Sequence, residues 1–195
     1  MTSPLSRSSD LEIRTVAATA LDMDGSVIRG YPIVFNKLSQ DLGGFKERIC
    51  SSAVDRSINA DIRALVDHDT AKILGRTRSG TLRLRKDKTG LRMELEPDPE
   101  ISYAKDILRS VARGDVSGMS FGFKVIADDW TETRGQLPTR DVLDMEIMEV
   151  TIATFPAYLD TNVEVAQRSL VQFHRTHVTG YDWRSKWHEI QTGDL

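Results

Sequence analysis

The sequence contains a single cysteine, Cys50, so no disulfide can form within the chain. Chains without disulfides are typical of reducing compartments. No histidine lies near Cys50 in sequence, which favours an inert, buried thiol over a nucleophile. Long hydrophobic runs are also absent, and the segment Met1–Arg7 lacks the apolar core of a secretory signal. These absences predict a soluble, intracellular protein without a membrane partner.

An excess of basic charge is absent as well. The formal net charge is -3 and the isoelectric point is about 5.8. Basic residues are scattered, apart from a small cluster within residues 83–88, where Arg83 and Arg85 alternate with leucines. Such alternation is typical of the solvent-facing side of a strand. We therefore expect no nucleic-acid partner.

Metal-ligating residues are few. The chain has four histidines, of which only His68 precedes residue 168, and the lone cysteine has no partner. His174 and His177 have a spacing that would suit a metal on a helix, but solvated histidines in a tail are the simpler interpretation. No glycine-rich phosphate-binding loop is present. We expect no metal and no cofactor.

What the sequence does contain is a strand-rich pattern sufficient for a single domain of the α+β class with one or two helices. Residues 1–10 are rich in serine and are predicted to be a flexible N-terminus. Residues 11–167 carry the predicted domain. Residues 168–195 have no clean period and read as an appended C-terminal tail, either removed or used to bind a partner.

Apolar spacing predicts one clear helix, from about Ile101 to Arg113, ended by Gly114. A second, short helix is predicted to begin at Ser51 or Ser52. Turns are predicted at Asp24-Gly25 and at residues 87–90, each between alternating runs. Predicted strands cover residues 11–17, 27–35, 81–85, 91–96, 116–126 and 141–155, with a bulge or an edge position at Pro32. Residues 62–66 form a short apolar-rich run, and the polar residues 128–139 are predicted to be a loop or a hairpin tip.

Ser120 is the candidate nucleophile. On the strand at residues 116–126, alternation places a mainly apolar set on the core face: Ser117, Met119, Phe121, Phe123 and Val125. Ser120 projects from the opposite face between Gly118 and Gly122, which permit close approach of a substrate backbone. The alternative is that both glycines simply admit a neighbouring strand.

His68 is the candidate base, because a serine needs a base to become nucleophilic near neutral pH and no other histidine precedes the tail. It follows a short apolar run and lies between Asp67 and Asp69. The alternative is a surface histidine in an acidic turn.

Glu149 is the candidate for the group that orients the base. Alternation from Asp141 puts it on one face with a largely apolar set: Leu143, Met145, Ile147, Thr151 and Ala153. A carboxylate in such a stripe is unfavourable to bury unless it is paired. The alternative is that the stripe reaches water at Glu149.

Several segments, in this order, closely resemble the phage prohead protease family: Gly30–Asn36, Asp41–Glu47, Ala64–Asp69, Leu74–Thr77, Ser79–Leu82, Arg113–Phe123, Met148–Thr151 and Pro156–Tyr158. The chain departs from the family pattern at residues 50–54, where a Pro-Gly-Ala-Phe-like run is usual, and at Thr151, where serine is usual. The resemblance covers the chain from about Gly30 to Tyr158.

The resemblance implies a serine endopeptidase of capsid maturation, with a β-barrel-like fold shared with herpesvirus capsid maturation proteases. It places the catalytic histidine at His68, the catalytic serine at Ser120 and an acidic third member at Glu149. It also implies, as partners, the phage major capsid protein and scaffold segments, in the cytoplasm of the bacterial host inside the assembling prohead. Self-trimming near Leu170 is a further hypothesis, and a homo-oligomer stays open.

A competing interpretation is a catalytically inactive capsid assembly or scaffolding factor with the same fold. It would keep the core strands and lack a working site. A generic strand-rich binding module explains the strands but not the ordered motifs. The distance between the Ser120 hydroxyl and the His68 imidazole is the structural observation that discriminates among them.

Overall fold

The computed structural model of the chain describes residues 11–16, 21–154 and 170–171. Its strands are β1 (Glu12–Val16), β2 (Asp22–Asp24), β3 (Val27–Val34), β4 (Lys46–Ile49), β5 (Arg63–Val66), β6 (Asp69–Arg76), β7 (Leu82–Lys86), β8 (Gly90–Leu95), β9 (Gly118–Thr131) and β10 (Thr139–Ala153). A 3-10 helix covers Ser51–Val54, and the helix α1 covers Ser102–Arg113.

The strands form two sheets. The larger has the order β1-β9-β10-β5-β6, and β4 also pairs with β10. The smaller has the order β2-β3-β8-β7. Apolar side chains of both sheets and of α1 belong to one buried cluster, in which Ile33, Met93, Leu108 and Phe121 are typical members. The strand-rich α+β prediction is therefore confirmed.

The predicted barrel-like closure is not confirmed. In the described part of the chain the larger sheet runs from β1 to β6 and the smaller from β2 to β7, and neither sheet closes on itself. The long strand β10 organises the larger sheet, because it pairs antiparallel with β9 and, at its two ends, parallel with β4 and β5.

The predicted helix is α1, with one correction at its start. Its buried residues are Ala104, Ile107, Leu108 and Val111, which follow the expected 3.6-residue period. Ile101, predicted on the same face, precedes the first turn and is exposed. Gly114 ends the helix with φ 79°, the left-handed conformation that favours glycine. Over the described residues, no helix is long and apolar enough to cross a bilayer.

The predicted turns are found, and Pro32 lies in a break of pairing. Gly25 and Ser26, directly after Asp24, connect β2 to β3, and residues 87–89 connect β7 to β8. The register of β3 against β8 shifts between Gly30 and Ile33, which accommodates Pro32 without a ladder donor. The predicted helix at Ser51 is only the short 3-10 turn, with Cys50 rather than a serine at its cap position.

The face assignment of β9 holds from Met119 onward. Met119, Phe121, Phe123 and Val125 are all in the buried cluster. Ser117, predicted to point into the core, is exposed, because β9 begins at Gly118 and the alternation does not reach it. Both β9 and β10 extend into residues 128–139, which the sequence pattern assigned to a loop.

The boundaries at residues 10 and 167 stay predictions. Most of the predicted tail and all of residues 1–10 lie outside the described residues. Leu170, which the sequence pattern placed in the tail, is buried against Phe45, with Leu42 and Trp130 packed around the pair. The rings of Phe45 and Trp130 are 5.2 Å apart, centroid to centroid. This small cluster lies apart from the main core.

Candidate active site

His68 is carried by a two-residue turn between β5 and β6. Val66 and Asp69 are cross-strand partners, and Asp67 and His68 connect them with φ values of 46° and 60°. Two consecutive positive φ values are typical of a type I′ hairpin turn. Asp and His tolerate this region better than most residues other than glycine. The turn projects the His68 side chain toward the adjoining strands β9 and β10.

A continuous line of hydrogen bonds joins Glu149, His68 and Ser120. Nδ1 of His68 is 2.7 Å from Oε1 of Glu149, and Nε2 is 3.0 Å from Oγ of Ser120. An ionised carboxylate only accepts hydrogen bonds, so Nδ1 carries the ring proton and Nε2 is left as an acceptor in the neutral imidazole. This is the tautomer that can receive a proton from a serine hydroxyl.

Glu149 reaches His68 because β10 is irregular. Its register against β9 shifts near Leu143 and again between Ile147 and Glu149, as at β-bulges. These shifts overturn the predicted face: Met145 and Ile147 are in the core, Leu143 is exposed, and Glu149 lies on the side of Ser120. A bulge moves a side chain to the other face of a sheet without changing the residue types around it.

Gly122 leaves the space that Glu149 occupies. Gly122 and Glu149 are cross-strand partners, and a Cβ built on Gly122 would lie 2.6 Å from Oε1 of Glu149. Any side chain at this position would therefore displace the carboxylate from Nδ1 of His68. The other carboxylate oxygen, Oε2, is buried and has no hydrogen-bond partner among the described residues.

Ser120 is fully buried in the resting structure, and its hydroxyl faces several partners. Its Oγ is 2.8 Å from the carbonyl oxygen of Arg14, to which it can donate, and the hydroxyl of Thr15 donates to Oγ at 3.3 Å. A hydroxyl has one hydrogen, so Ser120 cannot donate to the Arg14 carbonyl and to Nε2 of His68 at once. The two acceptors compete for the same proton.

The position of Arg14 is set by a buried ion cluster, formed by Glu12, Arg14, Glu47, Asp128 and Arg140. Arg140 is 1% exposed and contacts Glu12 at 2.9 Å, Glu47 at 3.2 Å and Asp128 at 2.7 Å. Arg14 contacts Glu12 at 2.7 Å and Glu47 at 2.8 Å. Since these residues come from β1, β4, β9 and β10, the cluster fixes the register of β1 beside the serine.

The opposite charges in this cluster shift the pKa values of their partners. Burial alone would raise the pKa of Glu47, but the guanidinium groups of Arg14 and Arg140 outweigh it and hold that pKa below its usual value. Burial alone would lower the pKa of Arg140, and the carboxylates of Glu12, Glu47 and Asp128 raise it instead. Glu47 and Arg140 therefore stay ionised near neutral pH.

Cys50 does not join the site. It is half-buried, and burial, with a contribution from the Asp141 carboxylate, raises the pKa of its thiol. A raised pKa disfavours the reactive thiolate. Within residues 11–16, 21–154 and 170–171, no group of three or more His, Cys, Asp or Glu side chains is arranged to hold a metal ion.

Comparison with known proteins supports the family suggested by the motifs. The profile of the family described as caudovirus prohead serine protease matches residues 9–176. The chain belongs to that family. The predicted kinship with herpesvirus capsid proteases stays a prediction, and no solved structure matches the chain.

A curated relative of this prohead serine protease family is the prohead protease of Enterobacteria phage HK97. It is 28% identical to the chain over 139 residues, a match that covers 67% of the chain and 56% of the relative. The matched region thus spans little more than half of the length of that protein.

Several residues around the site were not found by sequence reasoning. The carbonyl of Arg14 and the hydroxyl of Thr15 reach Ser120 only because β1 pairs with β9, with Thr15 opposite Ser120. No sequence signal identifies that pairing. Thr151, in contrast, lies two residues after Glu149, and its hydroxyl accepts the backbone N–H of His68 at 3.0 Å. Because alternate residues of a strand share a face, its position relative to Glu149 is the sequence feature that could have identified it.

Proposed function

We propose that the chain is a serine endopeptidase, with Ser120 as nucleophile, His68 as general base and Glu149 as the residue that orients the base. The observation that supports this most strongly is the line of hydrogen bonds from Glu149 through His68 to Ser120, at 2.7 and 3.0 Å. Membership in the prohead serine protease family supports the same reaction class.

In the proposed reaction, Oγ of Ser120 attacks the carbonyl carbon of a peptide bond while its proton moves to Nε2 of His68. The imidazolium then gives that proton to the leaving amine as the C–N bond breaks. Water attacks the resulting acyl-enzyme, again with Nε2 taking the proton, and Ser120 is regenerated. Glu149 keeps its hydrogen bond to Nδ1 and stabilises the positive charge on His68.

An oxyanion hole needs donors that are not already engaged. The segment from Gly118 to Gly122 was one hypothesised source of these donors, with a neighbouring loop as the other. Residues 119–122 pair with β1 on one side and with β10 on the other, so their backbone N–H groups serve the two ladders. We therefore favour donors from a neighbouring segment.

Substrate access requires a local rearrangement. Ser120 is 0% exposed, so a peptide carbonyl reaches Oγ only after part of the surrounding structure moves. Before attack, the hydroxyl hydrogen of Ser120 must also turn from the Arg14 carbonyl toward Nε2 of His68. The burial of Ser120 is the observation that favours the second candidate function, a catalytically inactive assembly or scaffolding factor with the same fold.

We propose that the substrates are segments of the phage major capsid protein and of the capsid scaffold, cut inside the assembling prohead. The relative from phage HK97 is named a prohead protease, which supports this assignment. Self-cleavage near Leu170 would first require that Leu170 leave its contact with Phe45. An intact chain after incubation of active enzyme, seen by mass spectrometry, would rule out self-cleavage.

The decisive experiment is co-expression of the chain with its cognate capsid protein, comparing wild type with Ser120→Ala. Ser117→Ala is the matched control, because Ser117 is exposed and lies just before the same strand. Cleavage by wild type and by the control, but not by Ser120→Ala, supports the proposal. Equal cleavage by all places the nucleophile elsewhere.

If no variant cleaves the capsid protein, a second experiment tests whether Ser120 is activated. The purified chain is treated with a fluorophosphonate, which forms an ester with an activated serine, and the modified residue is mapped by mass spectrometry. An adduct on Ser120 that requires His68 supports a working site awaiting its substrate. No adduct, together with no cleavage, supports the assembly-factor alternative.

A further inference from the structure

The carboxylate of Asp67 connects the turn that carries His68 to the end of β10. It accepts the backbone N–H of Thr154 at 2.7 Å and the hydroxyl of Thr154 at 2.6 Å. Thr154 directly follows β10, the strand on which Glu149 lies. The turn with the base is therefore attached to the strand with the orienting carboxylate.

Two hydrogen bonds donated by backbone N–H groups make the same connection. The N–H of Asp67 donates to the carbonyl of Ile152 at 3.1 Å, and the N–H of His68 donates to the hydroxyl of Thr151 at 3.0 Å. All of these partners lie in the last residues of β10 or directly after it. Of the set, the Asp67 carboxylate supplies the bonds whose acceptor is charged, which makes them the stronger ones.

Strand β6, which follows the turn, gives the turn less support than β10 does. Val66 pairs with Asp69, but the next pair is Leu65 with Ile73, so three residues of β6 fall out of register beside the turn. Those residues, 70–72, are exposed. The turn also has two residues with positive φ, a conformation that most residues disfavour. Its geometry depends on what holds it to β10.

We propose that Asp67 is a positioning residue for His68, which sets the place of the imidazole between Glu149 and Ser120 by tying its turn to Thr154. This inference rests on the proposed function of His68 as the base. It assigns different roles to the acidic residues on the two sides of the histidine: Asp67 holds the turn, whereas Asp69 accepts the N–H of Ala71 and pairs with Lys72 on β6.

The test uses substitutions that change the Asp67 carboxylate while residue 67 can still adopt a positive φ. Asp67→Gly keeps access to positive φ and removes the connection, whereas Asp67→Asn keeps one acceptor oxygen. Thr154→Val removes the hydroxyl donor from the other side. Asp69→Asn is the matched control, because it removes a neighbouring negative charge without touching Thr154. Asp67 and Thr154 are exposed, so these changes leave the core intact.

We expect kcat for peptide cleavage to fall by about 10- to 100-fold in Asp67→Gly with KM little changed, because a misplacement near 1 Å can cost about that much in rate. Thr154→Val should lose less, and Asp67→Asn should rescue most of the loss. Asp69→Asn should behave like wild type. An equal loss in Asp69→Asn would mean that charge, rather than position, is responsible, and would overturn the proposal.

A spectroscopic readout keeps this test independent of the proposed function. The proton on Nδ1 of His68, hydrogen-bonded to Glu149, gives a downfield proton resonance that needs no turnover. Loss or broadening of this resonance in Asp67→Gly, with its return in Asp67→Asn, supports positioning even if the chain cleaves nothing. An unchanged resonance together with an unchanged kcat in Asp67→Gly overturns the proposal.

Discussion

Glu149 lies directly against Gly122, with its Oε1 atom where a side chain on the glycine would begin. A Cβ on Gly122 would come within 2.6 Å of that oxygen. The two residues are cross-strand partners on β10 and β9, and Oε1 is the atom that binds Nδ1 of His68. The absence of a side chain at Gly122 is therefore a requirement of the site as well as of the sheet.

Gly122→Ala is expected to lower kcat by about 10²- to 10⁴-fold, the range for loss of the orienting carboxylate in a triad. The added methyl group would push Glu149 away from His68. The measurement is a double-mutant cycle with Glu149→Ala. If Gly122 acts through Glu149, the alanine at position 122 adds little to the loss already caused by Glu149→Ala. Additive losses would contradict this account.

Glu149→Gln is expected to lower kcat by about 10³- to 10⁴-fold while leaving the fold intact. The neutral amide no longer stabilises the imidazolium, and its NH2 group can donate to Nδ1 and favour the wrong tautomer. The measurement is steady-state cleavage with thermal unfolding as the check on folding. Glu146→Gln, an exposed residue of the same strand, is the matched control and should retain full activity.

Arg140→Met is expected to reduce the free energy of unfolding by about 3–5 kcal/mol, since it leaves buried carboxylates with fewer counter-charges. Arg140 is 1% exposed and contacts Glu12, Glu47 and Asp128. Urea unfolding of wild type and variant measures the difference. Arg56→Met is the comparison, because its ion pair with Asp144 is solvent-exposed and its loss should change stability far less. Similar losses of stability in the two variants would mean that burial of the ion cluster contributes nothing to the stability of the fold.

Acid should weaken the fold through Glu47. Its pKa in the folded protein is below the ordinary value of 4.5, so the folded state resists protonation that the unfolded chain accepts. The stabilisation is complete above about pH 4.5 and is lost as pH falls through the folded pKa, with a slope of up to about 1.4 kcal/mol per pH unit for one group.

Urea unfolding of wild type and Glu47→Gln from pH 7 to pH 3.5 measures this contribution. The variant should be less stable at pH 7, because Arg14 and Arg140 lose a charged partner. The difference from wild type should narrow below about pH 4.5, where Glu47 begins to take up its proton in the unfolded chain. A difference that stays constant over the whole range would show that Glu47 is not the titrating group.

Local patterns were sufficient for α1, for the turns after β2 and β7, and for the placement of Ser120 on the face of β9 opposite Phe121. Alternation on β9 separates Ser120 from Phe121 and Phe123 because that strand is regular at this point. Period and turn chemistry are local properties, so a single sequence contains them. The same holds for Gly114, whose φ of 79° ends the helix as its position predicted.

The face of Glu149 could not be obtained in this way. The extra residues of β10 at Leu143 and Met148 each reverse the alternation after them, and their positions depend on the pairing with β9 rather than on the residues of β10 alone. The turn at Asp67 and His68 could not be predicted from the sequence for a related reason. It contains neither glycine nor asparagine, and the contacts with Ile152 and Thr154 that hold it are distant in sequence. Closure of the strands into a barrel is likewise a long-range property that local patterns do not contain.

The hydrogen bond between Ser120 and Arg14 has a consequence for reactivity. The hydroxyl group has two rotational isomers, one pointing to the Arg14 carbonyl at 2.8 Å and one to Nε2 of His68 at 3.0 Å, and only the second can react. The two isomers exclude each other because the hydroxyl has a single hydrogen, so the rate of the proposed reaction scales with the fraction of molecules in the second isomer. Any ligand that draws the Arg14 carbonyl away raises that fraction without adding a single group to the site.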